Sequence, residues 1–176
     1  MLNASGLREA LNEAAFVQRK PILGICLGAQ MLGRTSEEGS EPGLGWIEMS
    51  NRRLPEVPGV RVPHMGWNQL VPQTGSPLTQ GLDDGAYVYF VHSYAAPVGP
   101  WTEAVADYGG EFSAIVRHAN FHGAQFHPER SSRAGQRILD PGFGVSGRAD
   151  PLEDRPGCLV GAAVERAFQG PDRRDE

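Results

Sequence analysis

The chain has 176 residues, 40% of them apolar and 21% charged, which suits one soluble domain with a genuine core. A net charge of -5 and no basic run longer than an Arg pair give no footprint for a polyanion, so nucleic acid is excluded as a partner. The two cysteines, Cys26 and Cys158, lie far apart without metal-type spacing, which excludes a disulfide scaffold and a cysteine-based zinc site and fits a reducing compartment.

Residues 1–20, "MLNASGLREALNEAAFVQRK", have neither the basic start nor the apolar middle of a secretory leader. No uninterrupted apolar stretch reaches membrane-span length, so a cytoplasmic protein without membrane contact is expected. Leu7, Ala10, Leu11, Ala14 and Phe16 fall near helical spacing over residues 6–18, after an Asn3-Ala4-Ser5 stretch suited to capping the first turn. Pro21 blocks that helix, Ile22 to Ile25 have the texture of a buried parallel strand, and "LGAQMLGRTSEE" is helix-compatible. From Glu41 onward apolar pieces are short and divided by Pro and Gly. "VRVPHMGWNQLVP", "AYVYFVHSYAAP" and "AVADYG" read as strands, and "FSAIVRHANFHGAQF" as a hairpin turning across His118 to Asn120. A helix is expected from Ser132, with Ala134, Ile138 and Leu139 on its apolar face. After Leu139, "DPGFGVSGRADPLEDRPG" has no period, "CLVGAAVERAFQG" has a weak helical pattern, and "PDRRDE" is a solvated end. The division is one domain over residues 1–139 and an irregular tail over 140–176, without internal repeats.

"KPILGICLGAQMLG" places Cys26 between Gly24 and Gly28 where a strand becomes a helix. A nucleophile on so sharp a turn needs small neighbours, the thiol counterpart of the Gly-x-Ser-x-Gly elbow. The helix that follows points its unpaired N–H groups and positive dipole end at the sulfur and favours thiolate, with the Leu27 N–H placed for an oxyanion. Taken alone, an elbow cysteine is as readily a small core residue. "GAQFHPERS" then supplies His127 as a base and Glu129, two residues on, to hold its far ring nitrogen. A lone His-x-Glu is usually a surface pair; beside the elbow it reads as chemistry. Five histidines without short regular spacing, His118 and His122 among them, make no metal site, and no cofactor is expected.

"GICLGAQML" with "AQFHPERS" resembles the class I glutamine amidotransferases. Within them, "VPHMGWNQL" and "YVYFVHSYAAP" are similar to the glutaminase subunits of imidazole glycerol phosphate synthase, over about residues 6–139. The resemblance implies an α/β, flavodoxin-like fold, a mostly parallel sheet with flanking helices and the elbow at its carboxyl edge. It implies that Cys26 attacks the amide carbon of L-glutamine, His127 protonates the departing ammonia, and Glu129 orients His127. Gln30, Glu38, Ser93 and Tyr94 fall where the family holds glutamine. His64, Met65, Trp67 and Asn68 fall near the face through which ammonia passes to a cyclase partner, although core packing with a satisfied histidine accounts for "PHMGWN" equally well. A glutaminase for another pathway, such as surface-sugar modification, and a non-catalytic remnant remain alternatives.

The same resemblance places a βαβ region, with a Pro-Gly-rich loop giving a second oxyanion donor, ahead of the helix that opens this chain. The expectation is a shortened or frame-altered product that lacks N-terminal strands, exposes apolar edges and is a poor catalyst.

Overall fold

The N-terminal periodicity forms a helix in two pieces, α1 (Leu7–Asn12) and a π-helical turn (Glu13–Val17). Pro21 has no N–H to extend it, and the chain enters β1 (Ile22–Ile25). The structure, a computed structural model, describes residues 7–73, 77–83, 85–143 and 158–159. The expected Asn3-Ala4-Ser5 cap and most of the expected tail, residues 144–157 and 160–176, lie outside them.

After β1 come α2 (Leu27–Met31), β2 (Thr35–Ser36), β3 (Ser50–Arg53), β4 (His64–Gln69) and β5 (Val71–Pro72). Then follow β6 (Tyr87–His92), β7 (Tyr94–Ala95), β8 (Thr102–Asp107), β9 (Glu111–His118), β10 (Phe121–Ala124), α3 (Ser132–Phe143) and β11 (Cys158–Leu159). The main sheet runs β11-β1-β10-β9-β8-β5. Its parallel pairs are β1 with β10 and β1 with β11, at the end that carries the elbow; β10-β9, β9-β8 and β8-β5 are antiparallel. The remaining strands form a β2-β3-β7 sheet and a β4-β6 ribbon.

Both faces of the main sheet are covered, which is why β1 is apolar throughout rather than alternating. Leu23, Ile115 and Phe126 pack with Phe90 and Ile138 on one side; Ile22, Val116 and Phe121 pack with Leu32, Trp46 and Met49 on the other. Among the described residues, no helix is long and apolar enough to cross a membrane.

Several elements depart from the sequence reading. The helix after Cys26 is five residues, not the length of "LGAQMLGRTSEE". A side chain at Gly33 would meet the Met49 carbonyl at 2.7 Å and Arg34 N bonds that same carbonyl, so the chain leaves the helix for β2. The last helix continues four residues beyond Leu139 and carries Pro141 in its final turn. Cys158 and Leu159 pair beside Ile22 and Leu23 as an edge strand, and the rest of "CLVGAAVERAFQG" lies outside the described residues. β3 has no signature in the sequence, because "SNRR" is exposed except at Asn51 and lacks apolar alternation.

Candidate active site

Cys26 has φ 51° and ψ -110°, a conformation that L residues rarely adopt. Its N–H bonds the Ala124 carbonyl at 2.8 Å, and its own carbonyl accepts from Ala29 N at 3.0 Å and Gln30 N at 3.2 Å. The elbow is therefore fastened to β10 behind and to α2 ahead. A Cβ on Gly24 would lie 2.4 Å from the Gly28 carbonyl oxygen and 2.7 Å from Ala29 N. The two glycines let strand and helix backbones touch, and the partly exposed thiol stands on the resulting corner.

The other half of the site comes from the end of the hairpin. Gln125 N still bonds β9, at the Ala114 carbonyl, but His127 N bonds the Tyr89 carbonyl of β6 at 2.9 Å. Ser131 closes that turn, its Oγ donating to the His127 carbonyl at 2.6 Å and accepting from Tyr89 N at 3.0 Å. Pro128 starts a short 3-10 turn, Pro128–Arg130, that swings Glu129 back onto the ring. His127 Nδ1 is 2.7 Å from Glu129 Oε1, which leaves Nε2 as the ring nitrogen available to the Cys26 thiol. The side chains of Cys26 first and Glu129 second push the imidazole up to about 10 against the opposing effect of burial. At neutral pH the ring carries both its protons, while Glu129, despite the burial that opposes it, is held below the ordinary carboxylate range by its bond to the ring.

The remaining expected site residues divide. Gln30 is buried and spends its Nε2 on the Tyr94 carbonyl at 2.7 Å and on Gln125 Oε1 at 3.1 Å, leaving its side-chain oxygen as the other polar atom. Tyr94 thus meets the site through its backbone, and Ser93 lies one residue before it, its carbonyl held by Leu54 N. Glu38 is exposed beyond β2, where its backbone N–H bonds Ser36 Oγ at 3.2 Å; among the described residues its carboxylate has no hydrogen bond. Leu27 is the first residue of α2. "PHMGWN" splits by strand alternation. His64 is 2% exposed against Tyr108 and Phe90, whereas Met65 and Trp67 are 63% and 52% exposed on the outer face of the ribbon.

The model of the class-I glutamine amidotransferase family matches residues 3–144. The chain belongs to the class I glutamine amidotransferases. It is 52% identical over 122 residues to the imidazole glycerol phosphate synthase subunit HisH of Escherichia coli strain K12, and equally to that of Salmonella typhimurium strain LT2. Those alignments take in 68% of this chain and 61% of each relative, so the chain spans about three fifths of their length. A solved glutamine amidotransferase superposes on 78% of this chain and 69% of its own, with a TM-score of 0.56 at 20% identity, a likeness of fold.

This amidotransferase chain also carries polar groups beneath the elbow that sequence reading passed over. His92 stands opposite His64 in the β4-β6 register, with His64 Nδ1 3.1 Å from His92 Nε2. Asn68 fixes the direction of this chain. Its Nδ2 donates to the Asp107 carbonyl at 2.7 Å and faces His64 Nε2 at 3.4 Å, so that nitrogen accepts, Nδ1 donates to His92 Nε2, and His92 Nδ1 donates to the Tyr94 carbonyl at 3.0 Å. Burial holds both rings at about 4, as neutral imidazoles. The available signal was weak: two histidines on different strands meet only once the register is known.

Proposed function

We propose that this chain hydrolyses L-glutamine to glutamate and ammonia, and that the ammonia passes to a cyclase subunit for imidazole glycerol phosphate formation in histidine biosynthesis. The observation that supports the reading is the His127 ring, held at Nδ1 by Glu129 at 2.7 Å and raised in basicity first by the Cys26 side chain of the elbow. In this reading the Cys26 sulfur attacks the carboxamide carbon, and the tetrahedral oxygen meets the Leu27 N–H. His127 gives its Nε2 proton to the leaving ammonia, and a glutamyl thioester remains. The ring, now neutral, takes a proton from water as that water attacks the thioester, then returns a proton to the sulfur as glutamate leaves. Glu129 holds Nδ1–H through both steps. Gln30, Glu38, Ser93 and Tyr94 border the glutamine. The exposed Met65 and Trp67 support docking of the cyclase on the β4-β6 ribbon, since large apolar side chains there are otherwise left in water. No metal or cofactor enters these steps.

The test is release of glutamate from glutamine by the full chain, with and without the cyclase subunit of an imidazole glycerol phosphate synthase, and with Cys26→Ala as control. Cyclase-dependent glutamate that the Cys26→Ala chain does not produce is the expected result. Equal background in all mixtures would overturn the proposal.

A further inference from the structure

Two buried carboxamides stand in line behind the elbow. Gln125 is 4% exposed and Gln30 8%. The atoms of an amide are told apart by what surrounds them. A carbonyl only accepts, so the Gln30 atom on the Tyr94 carbonyl is its nitrogen. That nitrogen also faces Gln125, so the Gln125 atom opposite is oxygen. The NH2 of Gln125 is therefore the end turned to Cys26 Sγ, at 3.9 Å, the long end of the range for sulfur. The same Tyr94 carbonyl takes His92 Nδ1–H from its other side, and the His92, His64 and Asn68 chain runs behind it to the Asp107 carbonyl. The polarity of the donor at the sulfur is thus set by the Tyr94 carbonyl through Gln30.

We propose that Gln125 is a positioning residue for the Cys26 nucleophile: its N–H holds the sulfur, and Gln30 keeps that amide from turning its oxygen there instead. The Val91 carbonyl, 3.7 Å from Sγ, serves the protonated sulfur, because a carbonyl only accepts. The Gln125 N–H serves the sulfur that has lost its proton, the form that attacks. A flipped Gln125 would face that anion with an oxygen. This inference rests on the glutaminase reading of Cys26, and the test separates the two.

Gln125→Met keeps the length of the side chain and removes both amide contacts. Iodoacetamide modification of Cys26 in the full chain, followed by peptide mass spectrometry to exclude Cys158, is expected to slow about fivefold to tenfold, as for loss of one charge-assisted hydrogen bond to a long sulfur acceptor. With the cyclase present, kcat for glutamine falls in step while KM holds, a split that a general loosening of the core does not give. Gln30→Met is expected to slow the same modification, and the double variant to be no slower than Gln125→Met, because the two amides act as one unit. Wild-type modification rates in Gln125→Met, with glutamate release still lost in Cys26→Ala, would overturn the role of Gln125 and leave the glutaminase reading standing. Slowed modification in a chain whose wild type releases no glutamate would do the reverse. Should Gln125→Met not fold, the Gln125 side-chain amide resonance of the unmutated chain decides: it shifts when Cys26 is alkylated if the contact exists, and an unmoved resonance refutes it.

Discussion

Acidification from pH 7 to pH 5 should destabilise this fold through His64 and His92, and His64→Phe should remove about half of that loss. Each ring sits near 4, and the first cause in both is burial; His92 adds to the depression of His64, and His127 to that of His92, while the Tyr94 carbonyl opposes it. Around them lie the Tyr108 and Phe90 rings stacked on His64, Phe112 beside both, and the Asn68 amide. Protonation also breaks the order of the chain, because a charged His92 presents N–H to the His64 N–H, and a charged His64 presents N–H to the Asn68 amide. These are bases whose folded values lie below the ordinary 6.5, so the unfolded chain binds more protons there. Their contribution is complete above about 6.5 and is lost as the pH falls toward 4. At pH 5 an unfolded histidine is almost wholly charged and a buried one mostly neutral, which makes the loss between pH 7 and pH 5 about 2 kcal/mol per ring. His127 works in the opposite sense: raised to about 10, its ring is protonated in the fold throughout this window, whereas the unfolded histidine is mostly neutral at pH 7, so acidification to pH 5 returns about 1 kcal/mol in the wild type and the variant alike. Urea midpoints at the two pH values give the measurement. In His64→Phe the flat ring keeps the stacking, His92 loses one donor at a cost of about 1 kcal/mol at pH 7, and the pH dependence shrinks by about 2 kcal/mol. Equal pH dependence in the variant and the wild type would refute the buried neutral pair.

Gly24→Ala should lower stability by about 2 kcal/mol and slow Cys26 modification steeply, because its new Cβ meets only backbone of Gly28 and Ala29 and cannot be relieved by a rotamer change; thermal melts and alkylation rates check this. Glu129→Gln should bring the His127 titration, followed by NMR, down from about 10 toward its ordinary range, and reduce cyclase-stimulated glutamate release about tenfold or more. Gly135→Ala should disturb the turn that carries His127, since a Cβ there would lie 1.8 Å from the Pro128 carbonyl oxygen; loss of secondary-structure signal or of activity would register it. Trp67→Ala should leave the melting behaviour nearly unchanged, as fits a half-exposed side chain, and weaken cyclase binding measured by calorimetry.

What the sequence made legible was whatever is local. Gly24-x-Cys26-x-Gly28 announces a corner because strand and helix backbones meet within five residues, and the structure closes that corner at 2.4 Å from where a side chain would be. Glu129 is two residues from His127, so the pair needed only a turn, and Pro128 supplies it. The hairpin from Glu111 to Ala124 was legible for the same reason. The short α2 was not, because its end is decided by Met49, a residue on the far side of a loop. Nor was the His64 and His92 pair, whose meeting depends on which residue of β6 lies opposite which residue of β4.

Gln125 falls between these cases. It lies two residues before His127, and along an extended chain two residues apart means the same side. The quoted "AQFHPERS" therefore already placed an amide on the side that carries the imidazole, with Phe126 turned into the core between them. What sequence alone could not supply was the partner that orients that amide: Gln30 comes from α2, 95 positions earlier, and its own direction is set by the Tyr94 carbonyl. The site is assembled from three crossings, β1 to α2, β10 to β6, and β6 to β7, and each brings one acceptor or donor whose polarity the next must respect. A substitution that reverses one amide or charges one ring therefore acts on its neighbours in the chain, which is why paired variants are more informative here than single ones.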